Sequence, residues 1–369
     1  MKKSPAVFCL IGAAIAFFGA MNLACQNLET LIREVFAIPS PTGYENVLSS
    51  KIRGYLPQDW RVDKDNVGSL YAWPSAPAEA GLVVATALDE FGYFVSGIAA
   101  DGYLRIDRAV TPPVAIFDSF LLGHVMSVTT KKGPLAALCS LPAMHIMPRE
   151  MRDKLARGVM LDDIYLDIGV RSVEEAREKG VEILDAVTPW PDLAELEGKK
   201  WAGPSLAVKS GAAVLTALAL DLRRRKPSAD SALVWLAQTR FAARSQDVRG
   251  ALGAVRLKNR LKPSQVVLID TLAADREGGS VFIGKGPVLV LPREGASELG
   301  RKMEEAAASA KIPLQAAPAY ESFLANPFLK DSKDVIILGL PVKFKATMSE
   351  VIDLKDVQAL RDLLLQVLK

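Results

Sequence analysis

Apolar residues recur at helical spacing over Leu28 to Phe36 and again over Glu45 to Leu56, and the turn-forming run Pro39-Ser40-Pro41-Thr42-Gly43 separates these two predicted helices. Arg61 to Asp63, Ser69 to Ala72 and Gly81 to Ala87 follow as strands. The last is an unbroken apolar run, the pattern of a strand covered on both faces, and Asp89-Glu90 stand just past its end. Between Tyr93 and about Lys200 the texture changes to short β-like runs at Tyr103 to Ile106, Leu121 to Val128 and Pro134 to Leu138, with one basic amphipathic stretch from Arg149 to Arg157. From Leu206 onward strands and helices alternate. A helix runs to about Arg225, strands fall at Ala232 to Ala237 and Val266 to Asp270, a helix at Ala296 to Ala310, a strand at Val335 to Leu338, and a terminal helix at Leu354 to Leu368. Such alternation predicts an α/β domain over residues 28–93 and 201–369, its central sheet covered on both faces, interrupted by a β-rich insert at 94–200.

Ahead of the first helix, Lys2 and Lys3 precede an uncharged, almost wholly apolar run from Ala6 to Ala20, which is the layout of a signal peptide over residues 1–24. Ala20 and Ala24 offer cleavage sites. Leu23-Ala24-Cys25 resembles a bacterial lipobox with Asn22 in place of the usual leucine, so Cys25 is the candidate lipidation site. The alternative is an uncleaved N-terminal membrane anchor, for which roughly 20 apolar residues are needed. Both readings predict an exported protein of the periplasm or cell envelope.

Composition narrows the chemistry. Half of the 369 residues are hydrophobic and 24% are charged, which gives material for a large core and excludes disorder. The formal net charge of +3 leaves no bulk field for nucleic acid. Of the three cysteines, Cys9 lies in the leader, and Cys25 and Cys139 are too far apart in sequence to form a metal or redox motif. The two histidines, His124 and His145, both fall in the insert, and no Gly-x-Ser-x-Gly is present, so a Ser-His-Asp site is not expected. Gly279 to Gly286 nearly matches a phosphate-binding loop, but Gly286 stands where a hydroxyl should bind Mg²⁺, and Pro287 leads into the strand-like Val288-Leu289-Val290 instead of a helix. Arg223 to Lys226 closes a long apolar helix, where cations complement the helix dipole and Pro227 stops the helix.

The order of motifs resembles the dinuclear-metal glutamyl-aminopeptidase, or endoglucanase-like, family, whose members form tetrahedral particles. Matching segments are Pro39 to Glu45, Asp65 to Leu70, Leu88 to Tyr93, Tyr165 to Gly169 with Ser172 to Ala176, Gly284 to Pro287 and Glu350 to Leu354, spread over Leu28 to Lys369. The resemblance implies a three-layer α/β aminopeptidase-like domain with a central mixed sheet, and an inserted β-barrel-like domain used in dimerisation. It also implies two divalent ions such as zinc or cobalt, a bridging water of lowered pKa, and a glutamate as general base.

Position by position, that chemistry is missing. The first histidine ligand is replaced by Ala87, although the orienting Asp89 remains, followed by Glu90. The bridging aspartate is Ala207. The paired glutamates expected after Gln238 are Thr239 and Arg240, the latter a fixed positive charge where a cation belongs. Asp270 is the one retained ligand, and the last histidine is Ala346. One carboxylate falls far short of the four donors that zinc requires, so no cofactor is expected.

The sequence therefore points to a catalytically inactive, exported relative of the aminopeptidases, a binding or assembly scaffold that associates through its insert and has a peptide or protein as its possible ligand. The alternative is a hydrolase with chemistry rebuilt on Asp89, Glu90 and Asp270 as acid and base, or a conventional metallo-aminopeptidase. Arg240 is expected to pair with one of those three carboxylates.

Overall fold

The computed structural model describes residues 27–368, except 75–80, 111–114, 144, 224–230, 246–247, 275–278, 293–296, 320–321 and 333. The leader, Cys25 and the basic residues Arg224 to Lys226 lie outside the described residues. Two helices open the fold, α1 (Leu28–Phe36) and α2 (Asn46–Tyr55). Asn27 caps α1 by accepting the Glu29 N–H, and Leu28, Leu31, Ile32, Val35 and Phe36 form its buried stripe.

An eight-stranded sheet is built from β1 (Arg61–Lys64), β2 (Leu70–Trp73), β3 (Leu82–Ala87), β12 (Ser231–Leu236), β15 (Gln265–Ala273), β16 (Val288–Val290), β17 (Gln315–Ala317) and β18 (Asp334–Val342). Across the sheet they run in the order β1-β2-β12-β3-β15-β18-β16-β17. The four central strands, β12, β3, β15 and β18, are parallel. Their apolar runs are buried throughout because helices cover both faces. On one face lie α1, α2, α5 (Leu206–Leu222), α7 (Glu298–Ala310) and α8 (Leu354–Val367), and on the other α6 (Leu252–Leu261) and the segment around Phe328.

Helix α5 is buried on almost every side, which is why its sequence is nearly all alanine, leucine and valine. It approaches the sheet so closely that a Cβ on Gly211 would come within 2.9 Å of the Thr86 hydroxyl.

The insert, running from Tyr93 to Pro189, contributes β4 (Tyr93–Ile98), β5 (Leu104–Arg108), β6 (Val125–Thr130), β7 (Gly133–Ser140), β8 (Tyr165–Asp167) and β9 (Ala186–Pro189). These strands close into a barrel in the order β4-β5-β8-β7-β6-β9. Its interior holds a separate apolar cluster including Val95, Leu104, Val128 and Leu166. Two local expectations change here. Leu121 to Val128 is not one strand, because a 3₁₀ turn ends at Leu121 and Gly123, at φ +78°, reverses the chain before β6. The basic stretch at Arg149 forms helix α3 (Arg149–Leu155), but no face of it is buried, so it contributes nothing to the barrel core. Residues assigned to the end of the insert form β10 (Ala194–Leu196) and β11 (Lys200–Gly203), which pair with β19 (Glu350–Asp353) beside the α/β layer.

Candidate functional site

Parallel pairing in register brings the carboxyl ends of β3, β12, β15 and β18 to one edge of the sheet, the place where open α/β sheets bind ligands. Leu236 pairs with Ala87 across β12 and β3, and Asp270 with Gly339 across β15 and β18. The segments that leave these ends carry Asp89-Glu90, Gln238-Thr239-Arg240, Asp270 and Lys345-Ala346. A cleft of about 540 Å³ opens there. Ala87, Thr239, Arg240, Asp270 and Ala346 line it, while Asp89, Glu90 and Ala207 lie buried beneath it.

Asp89 is completely buried, and its carboxylate accepts four hydrogen bonds: from the Thr42 hydroxyl at 2.8 Å, the Thr239 N–H at 3.0 Å, the Thr239 hydroxyl at 2.5 Å and the Arg240 N–H at 3.1 Å. Four donors use the lone pairs a carboxylate offers, leaving none for a ligand. Glu90 takes the Ser40 N–H at 2.8 Å and pairs with Lys209 at 3.0 Å. The Lys209 ammonium also donates to the Ile38 carbonyl at 2.7 Å and the Ser40 hydroxyl at 2.5 Å, so its three protons are matched. Burial pushes the Lys209 pKa down, and Glu90 acts against that shift.

These contacts correct the expected pairing. The cation set against the buried acids is Lys209, which sequence reasoning passed over, although a single lysine in an otherwise apolar helix was a signal in plain view. Arg240 reaches Asp89 only through its backbone N–H, and its guanidinium lies 3.8 Å from the centroid of the Phe91 ring. The carboxylate trio invoked for rebuilt acid–base chemistry is likewise not assembled, since Asp270 alone of the three lines the cleft.

Glu350, noted in the sequence only as part of a matching segment, holds a central place. It is 5% exposed, and its two oxygens accept the N–H groups of Ala346 at 2.9 Å and Ala207 at 3.1 Å. Both are positions where metal ligands were expected. Ala207 is in the first turn of α5, so its N–H points out of the helix end toward the acid. Burial raises the Glu350 pKa, and the two N–H groups work in the other direction. Glu45, also buried, is pushed up to about 7 by desolvation and by the nearby charge of Asp89, although it accepts the N–H groups of Gly43 and Gln238.

The residues at this edge do not fit a pair of divalent ions. Ala87, Ala207 and Ala346 carry no donor, Asp89 spends its lone pairs on protein N–H and hydroxyl groups, and Arg240 and Lys345 add positive charge to the cleft. Among the described residues no group of three or more His, Cys, Asp or Glu side chains is arranged to hold a metal. His124 and His145 are exposed in the insert and do not line the cleft. Cys139 is buried in the barrel, its thiol pushed up to about 12 by desolvation, which makes it unreactive. The glycine-rich Gly284 and Gly286 do cradle an anion through their N–H groups, but it is the protein's own Asp356, at 2.6 Å from each.

Residues 68–363 match the family model described as M42 glutamyl aminopeptidase. Lysyl aminopeptidase of Pyrococcus furiosus is 25% identical over 339 residues, a span of 89% of this chain and 92% of that protein. Among solved structures, the Pyrococcus horikoshii TET1 peptidase, described as assembling into a tetrahedron or a large octahedral shell, superposes with a TM-score of 0.79 at 23% identity, covering 93% of this chain and 99% of its own. A TET aminopeptidase from a marine sediment thaumarchaeon gives 0.77 at 22% identity, covering 93% and 96%.

Proposed function

Because the chain belongs to the M42 glutamyl aminopeptidase family, we propose that it is a catalytically inactive, exported member that binds and assembles instead of hydrolysing peptides. One observation carries this reading: Ala87, Ala207 and Ala346 stand where metal ligands are expected and offer no side-chain donor, while Arg240 and Lys345 bring positive charge to the same cleft. The deciding experiment is turnover of glutamyl and lysyl anilides by the purified protein, with zinc, cobalt or manganese supplied. No product above background is expected, and chelator-sensitive release of the amino acid would restore the enzyme.

Assembly into homo-oligomers is supported by the barrel, which is complete and presents Val125, Leu138 and Trp190 to solvent at 45%, 45% and 38% exposure, and by the shells described for the TET1 peptidase. Light scattering at micromolar concentration tests it, a monomer being the contrary result. Export rests on Lys2-Lys3 and the apolar run behind them. Fractionation with the envelope or periplasm is the expected outcome, and Cys25→Ser separates a lipid anchor from a cleaved leader, since only a lipoprotein would lose its membrane attachment.

A further inference from the structure

The cleft brings the cationic side chains of Arg240 and Lys345 together with the carboxylates of Asp270 and Glu350. Each oxygen of Glu350 accepts one protein N–H, and Asp270 accepts the Thr271 N–H at 2.7 Å. Asp89 is closed off underneath. On the donor side, the Nε of Arg240 is buried and has no hydrogen-bond partner among the described residues, while its guanidinium plane rests on Phe91 at the cleft wall. Lys345 spends one proton on the Thr271 carbonyl at 2.6 Å, which leaves two of the three that an ammonium carries. Arg240 lines the cleft and is only partly buried as a whole, so a ligand there would meet the accessible part of its guanidinium and not Nε. Around these donors the walls are apolar, formed by Phe91, Phe117, Phe323 and Met348.

From this inventory we propose that the cleft binds an apolar carboxylate, the C-terminal residue of a peptide, with Arg240 as its anion-binding group. The proposal rests on the reading of the site as a binding cleft free of metal. It keeps a positive centre at the strand ends but changes what that centre selects: a guanidinium calls for an acceptor pair, in the planar geometry that a carboxylate supplies. The phenyl rings and Met348 would take the side chain next to that carboxylate.

Calorimetric titration of the purified protein with three acetylated peptides tests this: Ac-Leu-Phe-OH, its C-terminal amide Ac-Leu-Phe-NH2, and Ac-Glu-Phe-NH2, whose carboxylate is on a side chain. The free acid should bind about tenfold to hundredfold more tightly than the amide, the range a charged hydrogen bond supplies. Binding of Ac-Glu-Phe-NH2 as tight as that of the free acid would overturn the assignment to a peptide C-terminus, since its carboxylate is on a side chain. Arg240→Gln should abolish the preference for acid over amide, and Arg240→Lys should keep part of it. Equal binding of acid and amide by the unaltered protein, or no binding of any peptide, overturns the proposal whatever the variants do, and leaves the inactive reading standing if turnover is also absent. Tighter binding of H-Leu-Phe-NH2, with its free amine, would overturn it too, and metal-dependent turnover would remove both readings together.

Discussion

The ammonium of Lys209 sits 3.0 Å from the carboxylate of Glu90, with side-chain exposures of 1% and 6%. Two opposite charges withdrawn from water in this way stabilise a fold only while both are present. The pair ties α5 to the segment that leaves β3, and so fixes the floor of the cleft.

Removing one partner should therefore be severe. Lys209→Ala is expected to cost about 3–5 kcal/mol, since it leaves Glu90 buried without a cation. The double variant Lys209→Met/Glu90→Gln should recover part of the loss. Urea unfolding of all three proteins checks this, and a single variant as stable as the parent would contradict the assigned geometry.

Stability should also respond to pH through Glu45, whose folded pKa of about 7 exceeds its ordinary value of 4.5. Between those two values the folded state holds more protons than the unfolded state, so this group's contribution falls as pH rises through the window. Glu45→Gln keeps the side-chain oxygen that accepts the Gly43 and Gln238 N–H groups and removes the charge. The variant should match the parent near pH 4 and be more stable at pH 8 by roughly 1–3 kcal/mol, because each tenfold change in proton affinity is worth about 1.4 kcal/mol. A constant difference across the whole range would assign the effect to packing instead.

Metal should leave the protein indifferent. A divalent ion present at 100 times its dissociation constant would add about 2.7 kcal/mol to the native state, a visible rise in melting temperature. Differential scanning fluorimetry with excess chelator, and with added zinc, cobalt or manganese, should give superimposable transitions. A cation-dependent rise reversed by chelator would show a site that these residues do not suggest.

The glycine-rich turn supplies a further test. Asp356 is 1% exposed and accepts the N–H groups of Gly284 and Gly286, both at positive φ, and burial raises its pKa to about 6. Asp356→Ala would orphan two N–H groups at a cost of about 2–4 kcal/mol, and Asp356→Asn, which keeps one acceptor oxygen, should lose less; urea unfolding of both variants measures the difference. Nucleotides should not bind the parent, because this nest already has its anion.

Much of the fold was legible because long apolar runs have few alternatives. The buried β3, the helix opening at Leu206, the terminal helix and the change of texture after Tyr93 all follow from pattern alone. What escaped depends on tertiary placement. The hairpin β13 (Ala242–Ser245) and β14 (Val248–Ala251) and the helix α6 behind it have mixed polarity that suits no single period. At the site, the loss of ligands at Ala87, Ala207 and Ala346 could be read directly from residue types. The partners of the remaining charges could not, because Lys209 and Glu90 are 119 positions apart and meet only when α5 lies across the sheet.

Closure of the barrel has a consequence for how copies of this chain can meet. Each barrel strand among the described residues has a neighbour on both sides, β9 returning to β4, so the barrel leaves little backbone edge to extend. Strand addition there has little edge to work on, and a contact through the insert would be made mainly by side chains such as Val125, Leu138 and Trp190. The open borders of the large sheet are β1 and β17, of four and three residues, too short to template a fibre. The association proposed through the insert would then be a matter of matched patches, whose geometry can close on itself and stop growing.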